Sequence, residues 1–291
     1  MLKKEIERCL RKYKIELDPS SDEQHLIDYN QLNRMIDLAG IKTDDTVLEI
    51  GAGCGILTEL LAKNSGRVFA VEKNSKFLPI LSERLAKYKN VEIMIANAID
   101  IQFPDFTKIV SNLPHAICEA LFQKLVNYSF RVGVLIVPEP FARTLLAKPR
   151  DPKYSKLSMM ASYFYEFQLE GIIDLECFYP RPRVPSIIIK LIPKATIDLE
   201  TLTIRGFFLQ RDRKTKNALR DAMIEAYAVV FQKRLTKKSA KKIIESLGID
   251  SRFLELKVAR LSLEGTSEVI REVSERASTL FVPESGPRTN S

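Results

Sequence analysis

Cysteine and histidine are scarce in this chain of 291 residues, with four of the first and two of the second. The cysteines (Cys9, Cys54, Cys118 and Cys177) are scattered and form no CxxC pair. Neither a zinc site nor a disulfide framework is therefore expected. Long apolar runs are missing too, and no stretch approaches the roughly 20 residues that span a bilayer. The opening segment, MLKKEIERCLRKYK, is charged throughout and lacks the apolar centre of a signal peptide. These absences lead us to expect a cytoplasmic protein with no metal and no membrane contact. Acids are rare in one region: between Arg205 and Lys242 only Asp212, Asp221 and Glu225 oppose twelve lysines and arginines. The whole chain carries a net charge of +8 with a pI near 9.2. Such a balance fits a polyanionic partner without specifying one.

Two short motifs stand out, about sixty residues apart. The first is VLEIGAGCGILT, Val47 to Thr58. An apolar run passes directly into Gly51, Gly53 and Gly55 and then into a helix start, the arrangement that lets backbone approach a ligand closely. The second is SNLPH, Ser111 to His115, which closes another apolar run. Around them, strands are expected at Thr46–Ile50, Arg67–Glu72, Val91–Ile95, Lys108–Asn112 and Val132–Val137. Helices are expected near residues 32–38, 56–63, 76–88, 116–128 and 140–147. Repeated β-then-α units argue for a parallel sheet covered on both faces. Two β-rich runs, 163–173 and 184–192, lack a long helix between them and suit an antiparallel edge pair. After Pro193 helical patterns dominate, at 219–231, 240–247 and 267–279. The expected organisation is an α/β domain over residues 1–194, with a basic N-terminal extension, and a small helical domain over 195–291. A polar link, LDPSSDEQ, and a frayed tail, PESGPRTNS, complete it.

The glycine turn alone is weak evidence, because it serves dinucleotide and methyl-donor cofactors alike, or merely packs a helix on a strand. Glu72 ends the next strand, 21 positions after Gly51. A carboxylate there accepts from both hydroxyls of a ribose, unless it is only a surface acid. A dinucleotide enzyme prefers a third glycine at the pyrophosphate contact, and here that position is Ile56. S-adenosylmethionine, a nucleoside without phosphate, fits better. Asn97 lies at the end of the third strand, where it either accepts from the cofactor's adenine amine or caps the following turn. In SNLPH, the Asn112 side-chain oxygen and a backbone carbonyl of Leu113 or Pro114 can hold an aromatic amine pyramidal, so that its lone pair attacks. Pro114 restrains that backbone, and the His115 ring stacks on the base. The bland alternative is a strand-end turn with helix-capping chemistry.

With these residues in place, the chain resembles the rRNA adenine dimethyltransferases of the kasugamycin-resistance type, including their archaeal and eukaryotic relatives. The resemblance runs from about Gln24 to Lys194 and more faintly to about Leu219. It rests on EQHLIDYN, VLEIGAGCGILT, VFAVEKN, FTKIVSNLPH, EPFARTLLAKPRDPKYSKLS, CFYPRPRVPSIIIKLIP and RDRKTKNAL. The family implies a class I, Rossmann-like methyltransferase fold with a small helical C-terminal domain. It implies transfer of two methyl groups to each of two adjacent adenosines near the 3′ end of small-subunit rRNA, within the assembling particle. Carried over position by position, His25, Ile27, Gly51, Gly53, Glu72, Asn97 and Asn112 would line the S-adenosylmethionine site. Asn112, Pro114 and His115 would carry the transfer, with Phe178 as a second stacking surface. The protein would act as a monomer.

Some positions depart from the family pattern. His115 replaces the usual tyrosine or phenylalanine, Asn97 replaces an acid and is preceded by Ala96 rather than glycine, and Leu26 replaces an aromatic. These changes keep two alternatives in view. One is an impaired paralogue serving as an RNA-binding assembly factor; the other is an adenine methyltransferase of large-subunit rRNA. The basic stretch in the second domain is expected to meet rRNA phosphates.

Overall fold

A computed structural model describes residues 2–17, 23–194 and 198–280. Part of the polar link and the whole tail expected from the sequence lie outside the described residues. The chain divides into two compact units, residues 1–194 and 195–291.

The first unit is built on a seven-stranded sheet. Its strands are β2 (Thr46–Ile50), β3 (Arg67–Glu72), β4 (Val91–Ile95), β5 (Lys108–Asn112), β6 (Val132–Pro138), β7 (Tyr165–Ile173) and β9 (Ser186–Pro193). They lie in the order β4-β3-β2-β5-β6-β9-β7. The first five are mutually parallel, whereas β9 runs antiparallel to both β6 and β7. Val47, Leu48, Ile50, Ile109, Val110 and Val134 to Val137 are all buried. Such unbroken apolar runs are what a central strand covered on both faces requires. At the opposite end of the sheet from the glycine turn, the Asp45 carboxylate pairs with Lys108 at 2.8 Å and with Arg131. Burial pushes that carboxyl up, but the bonds from Lys108, the Lys42 N–H and Thr107 outweigh it and hold it below the usual range.

Helices α2 (Tyr29–Ala39), α3 (Ile56–Asn64), α4 (Leu78–Leu85), α5 (Cys118–Leu125) and α6 (Glu139–Leu145) connect and cover the strands. The helices expected over 76–88 and 116–128 are shorter, each entered through a 3-10 turn, at Ser75–Phe77 and at His115–Ile117. In this unit one helix escaped the sequence reading: α7, Lys156–Phe164. Its N-terminus is a reciprocal Ser155–Ser158 capping box, which lacks the Glu or Gln that usually marks such a start. The strand expected from Tyr163 therefore begins at Tyr165. A second small sheet pairs β1 (His25–Leu26) with β8 (Phe178–Tyr179), His25 against Tyr179 and Leu26 against Phe178. Strands of two residues carry no alternation from which they could be read. Helix α1 (Leu2–Lys12) buries Leu2, Ile6 and Leu10, a spacing of four that places all three on one face.

The second unit contains α8 (Leu199–Leu209), α9 (Thr215–Phe231), α10 (Lys237–Ser246), α11 (Ser251–Glu255) and α12 (Leu263–Leu280). Its core holds Ile204, Phe207, Leu219, Met223, Leu247 and Val269. No described helix in either unit is long and apolar enough to cross a membrane.

Candidate active site

The C-terminal ends of β2, β3 and β5 face a cavity of about 340 Å³. This is the side on which open parallel sheets bind ligands, and the volume suits a small molecule. His25, Gly51, Gly53, Glu72, Asn112, Pro114, His115 and Phe178 all line it. Residues 153 positions apart in sequence, His25 and Phe178, meet there because β1 pairs with β8.

The turn after β2 has a left-handed backbone at Gly51 (φ 80°) and Gly53 (φ 52°). A Cβ on Gly53 would stand 2.7 Å from His25 Cε1, and one on Gly51 would stand 3.1 Å from Pro114 Cδ. Both positions thus require glycine for conformation and for space. The Gly53 N–H donates to Glu72 Oε2 at 2.8 Å, and the Asn74 N–H donates to Glu72 Oε1 at 2.8 Å. Each carboxylate oxygen has further acceptor capacity, so these bonds aim the group and leave it able to receive hydroxyls. Burial pushes the Glu72 carboxyl above its ordinary value, and the backbone donors of Asn74 and Gly53 counteract the rise. His25 is held neutral, its pKa pushed down to about 4 by desolvation, with its ring edge-on to Phe77 at 5.5 Å. The Cys54 thiol is pushed up to about 12 by burial, which makes it space-filling rather than nucleophilic.

At the end of β5, the Asn112 Nδ2 donates to the Gln24 carbonyl at 2.9 Å. The amide is thereby oriented, with its oxygen as the remaining acceptor end. The Leu113 N–H donates to the Ile136 carbonyl at 3.1 Å, anchoring the motif to β6. The Pro114 carbonyl accepts from the Ile117 N–H at 3.2 Å and from the Cys118 thiol at 3.5 Å. Of the two carbonyls considered from the sequence, that of Pro114 already accepts from the following turn, which leaves that of Leu113 as the candidate acceptor.

Two residues named from the sequence stand apart from the cavity wall. The Asn97 Oδ1 accepts from the Ile99 N–H at 3.2 Å, and its Nδ2 donates to Asp100 at 2.8 Å. Its amide therefore serves the turn after β4, as the capping reading describes. Ile27 donates its N–H to the Cys177 carbonyl at 2.7 Å and packs against the core.

Glu49 was missed, although a lone acid within the apolar run VLEI was a visible signal. It is 2% exposed, and its Oε2 has no hydrogen-bond partner among the described residues. It lines a side chamber of about 40 Å³ together with Gln24, Gly51 and Asn112. Burial pushes its carboxyl up to about 8, with Thr58 opposing and the Glu72 charge adding to the rise. The folded state therefore holds this proton from the ordinary value near 4.5 up to about 8, where the unfolded chain has lost it. Stability should fall as pH rises through that window. In Glu49→Gln this fall should be absent, so the variant should gain on the wild type in melting temperature between pH 6 and 9. Parallel melting profiles would remove the buried proton from the account.

In the second unit, several cations of the basic stretch have carboxylate partners, Lys241 with Glu245 at 3.7 Å among them. Lys214 and Lys216 pair with Glu255, and Arg213 and Arg220 pair with Asp221. Glu255 lies beyond the sequence window that looked short of acids, so part of that apparent surplus is internally balanced. Around α10, Lys233, Arg234, Lys237, Lys238, Lys241 and Lys242 are exposed. Lys237 and Lys238 occupy the first turn of a helix, where the dipole disfavours positive charge.

The profile of the family described as "Ribosomal RNA adenine dimethylase" matches residues 17–251. The protein named "Probable ribosomal RNA small subunit methyltransferase A" of Methanosphaera stadtmanae is 36% identical over 265 residues, covering 88% of this chain and 97% of that one. Among solved structures, a dimethyladenosine transferase from Plasmodium falciparum matches with a TM-score of 0.58 at 24% identity. That match covers 86% of this chain and 97% of the other. The 23S rRNA methyltransferase ErmE matches with a TM-score of 0.54 at 20% identity, over 86% and 99% of the two chains. The two structural likenesses show a shared Rossmann-like methyltransferase fold.

Proposed function

The chain belongs to the ribosomal RNA adenine dimethylase family, and from that premise we infer that it methylates adenosine amines of small-subunit rRNA with S-adenosylmethionine. The observation that carries this reading is the convergence of Glu72, the Gly51–Gly53 turn and Asn112–Pro114 on one cavity. The donor fits the residues present. Glycine at 51 and 53 lets this turn pack closely against Pro114 and His25 at the cavity wall, and the buried Glu49 Oε2 lacks a partner, among the described residues, that a cationic amino group can provide. Ile56 at the third glycine position offers nothing to a pyrophosphate.

Bound S-adenosylmethionine supplies the electrophilic methyl carbon. Glu72 would hold the ribose hydroxyls, with Gly53 and His25 as the wall beside it. Asn112 Oδ1 and the Leu113 carbonyl accept from the target amine and localise its lone pair, which is the electrostatic part of the catalysis. His115 and Phe178 stack on the target base and align it, so positioning provides much of the remainder. The proton leaves readily once the nitrogen is alkylated, and no strong base is required. The target must be unstacked to reach the cavity.

The finer statements belong to the same proposal: two methyl groups on each of two adjacent adenosines near the 3′ end, within an assembling small subunit, by a cytoplasmic monomer. Residues 1–194 form the donor-binding catalytic domain and residues 195–291 an RNA-contacting one. The exposed lysines of α10 support the second assignment. Neutralising Lys237, Lys238, Lys241 and Lys242 should weaken subunit binding. It should also flatten the salt dependence by roughly 0.7–0.9 in log–log slope for each phosphate that is no longer neutralised. Donor affinity should not change; an unaltered salt slope would assign this face to solvent. The reading as a whole is tested by offering unmethylated small and large subunits with labelled donor. Label is expected in the small subunit, and label confined to the large subunit would overturn the assignment.

A further inference from the structure

Beneath the donor turn, one arginine joins three elements that the mechanism leaves unexplained. Arg84, on α4, has a side chain only 12% exposed. Its Nη2 lies 2.7 Å from Glu5 on α1, and its Nη1 lies 3.3 Å from Glu59 on α3. Its stem lies beside the turn together with Leu81: a Cβ on Gly55 would stand 3.2 Å from Arg84 Cδ and 3.0 Å from Leu81 Cδ2. Gly55 is the N-cap of α3, two residues past Gly53. Helix α1 adds a second hold on α4, through Lys12 to Glu83 at 2.5 Å. It also contacts the small ribbon: Lys3 Nζ lies 5.3 Å from the centre of the Tyr179 ring, the residue paired with His25.

We propose that Arg84 is a positioning residue, latching α1 to the donor turn so that docking of α1 and occupancy of the donor cavity stabilise each other. The physical basis is shared: α1 is held by Glu5, the turn is propped by the Arg84 stem, and one guanidinium fixes both. Ordering either side lowers the cost of ordering the other, and such coupling is reciprocal. A purely structural ion pair would alter melting without linking these two segments. The cofactor half of this inference rests on the donor reading above.

Hydrogen exchange on the ligand-free protein separates the two questions. In Arg84→Met, which keeps an apolar stem, exchange should quicken both over residues 2–12 and over the 51–57 turn. Glu5→Gln, on the outer helix, should do the same and serves if Arg84→Met does not fold. In calorimetry, both variants should bind S-adenosylmethionine about tenfold more weakly, with kcat at saturating donor within about twofold of wild type. In the wild type, donor should slow exchange in residues 2–12. Faster exchange confined to residues 2–12, with the turn and donor affinity unchanged, would overturn the proposal. Failure of the wild type to bind donor would instead overturn the donor reading, while ligand-free exchange still decides the coupling.

Discussion

Asn112→Ala should lower turnover by about two to three orders of magnitude, the cost of removing one preorganised polar group from a catalytic centre. The effect should fall on kcat more than on KM for the donor. An adenine amine is a poor nucleophile because its lone pair is delocalised into the ring, and the acceptor at Asn112 opposes that delocalisation only as the amine turns pyramidal. The side chain is held for this purpose by its bond to the Gln24 carbonyl. His115 supplies a stacking surface, so His115→Tyr should retain or raise activity, and His115→Ala should lose roughly 1–3 kcal/mol of base stacking. Single-turnover rates for the four proteins order these roles. Loss of activity in His115→Tyr with retention in Asn112→Ala would refute the mechanism.

Glu72→Ala should weaken S-adenosylmethionine binding roughly tenfold to a hundredfold, since a hydrogen bond to a charged group contributes about 1.5–3 kcal/mol. The same substitution strands the Gly53 and Asn74 N–H groups that now donate to the carboxylate. Glu72→Gln, which keeps the shape and one acceptor oxygen, should fall between the two. Because burial raises the Glu72 carboxyl above its ordinary value, donor affinity should begin to decline on acidification at a pH above the usual carboxylate range. Calorimetry of the three proteins across pH checks both statements. Equal affinities for wild type and Glu72→Ala would remove Glu72 from the site.

The parallel half of the sheet was legible in the sequence because its signals are local. Runs such as VLEI, VFAVE and KIVSN each end at a turn residue, and β2, β3 and β5 occupy those segments. The convergence of Glu72, Gly51 and Asn112 followed from the same rule, since all three sit at C-terminal ends of neighbouring strands. What escaped depends on long-range pairing or on side-chain direction. The two-residue ribbon that carries His25 to Phe178 has no periodicity. Helix α7 starts with a serine pair in place of the usual capping signature. Spacing placed Asn97 beside the cofactor, yet its amide turns to Asp100 and the Ile99 N–H, and no sequence pattern reports which way an amide faces. The surplus of charge in the second unit was overstated for a related reason: Glu255 is distant in sequence from Lys214 and adjacent in space.

Methyl transfer to adenine is the central claim, and its most direct test is the nucleoside product itself. Unmethylated small subunits are incubated with the protein and S-adenosylmethionine, the rRNA is digested, and its nucleosides are weighed and mapped. The account predicts N6,N6-dimethyladenosine at adjacent positions near the 3′ end, present with wild type and nearly absent with Asn112→Ala. Methyl groups on another base, or unmodified adenosine while the protein binds both subunit and donor, would contradict it.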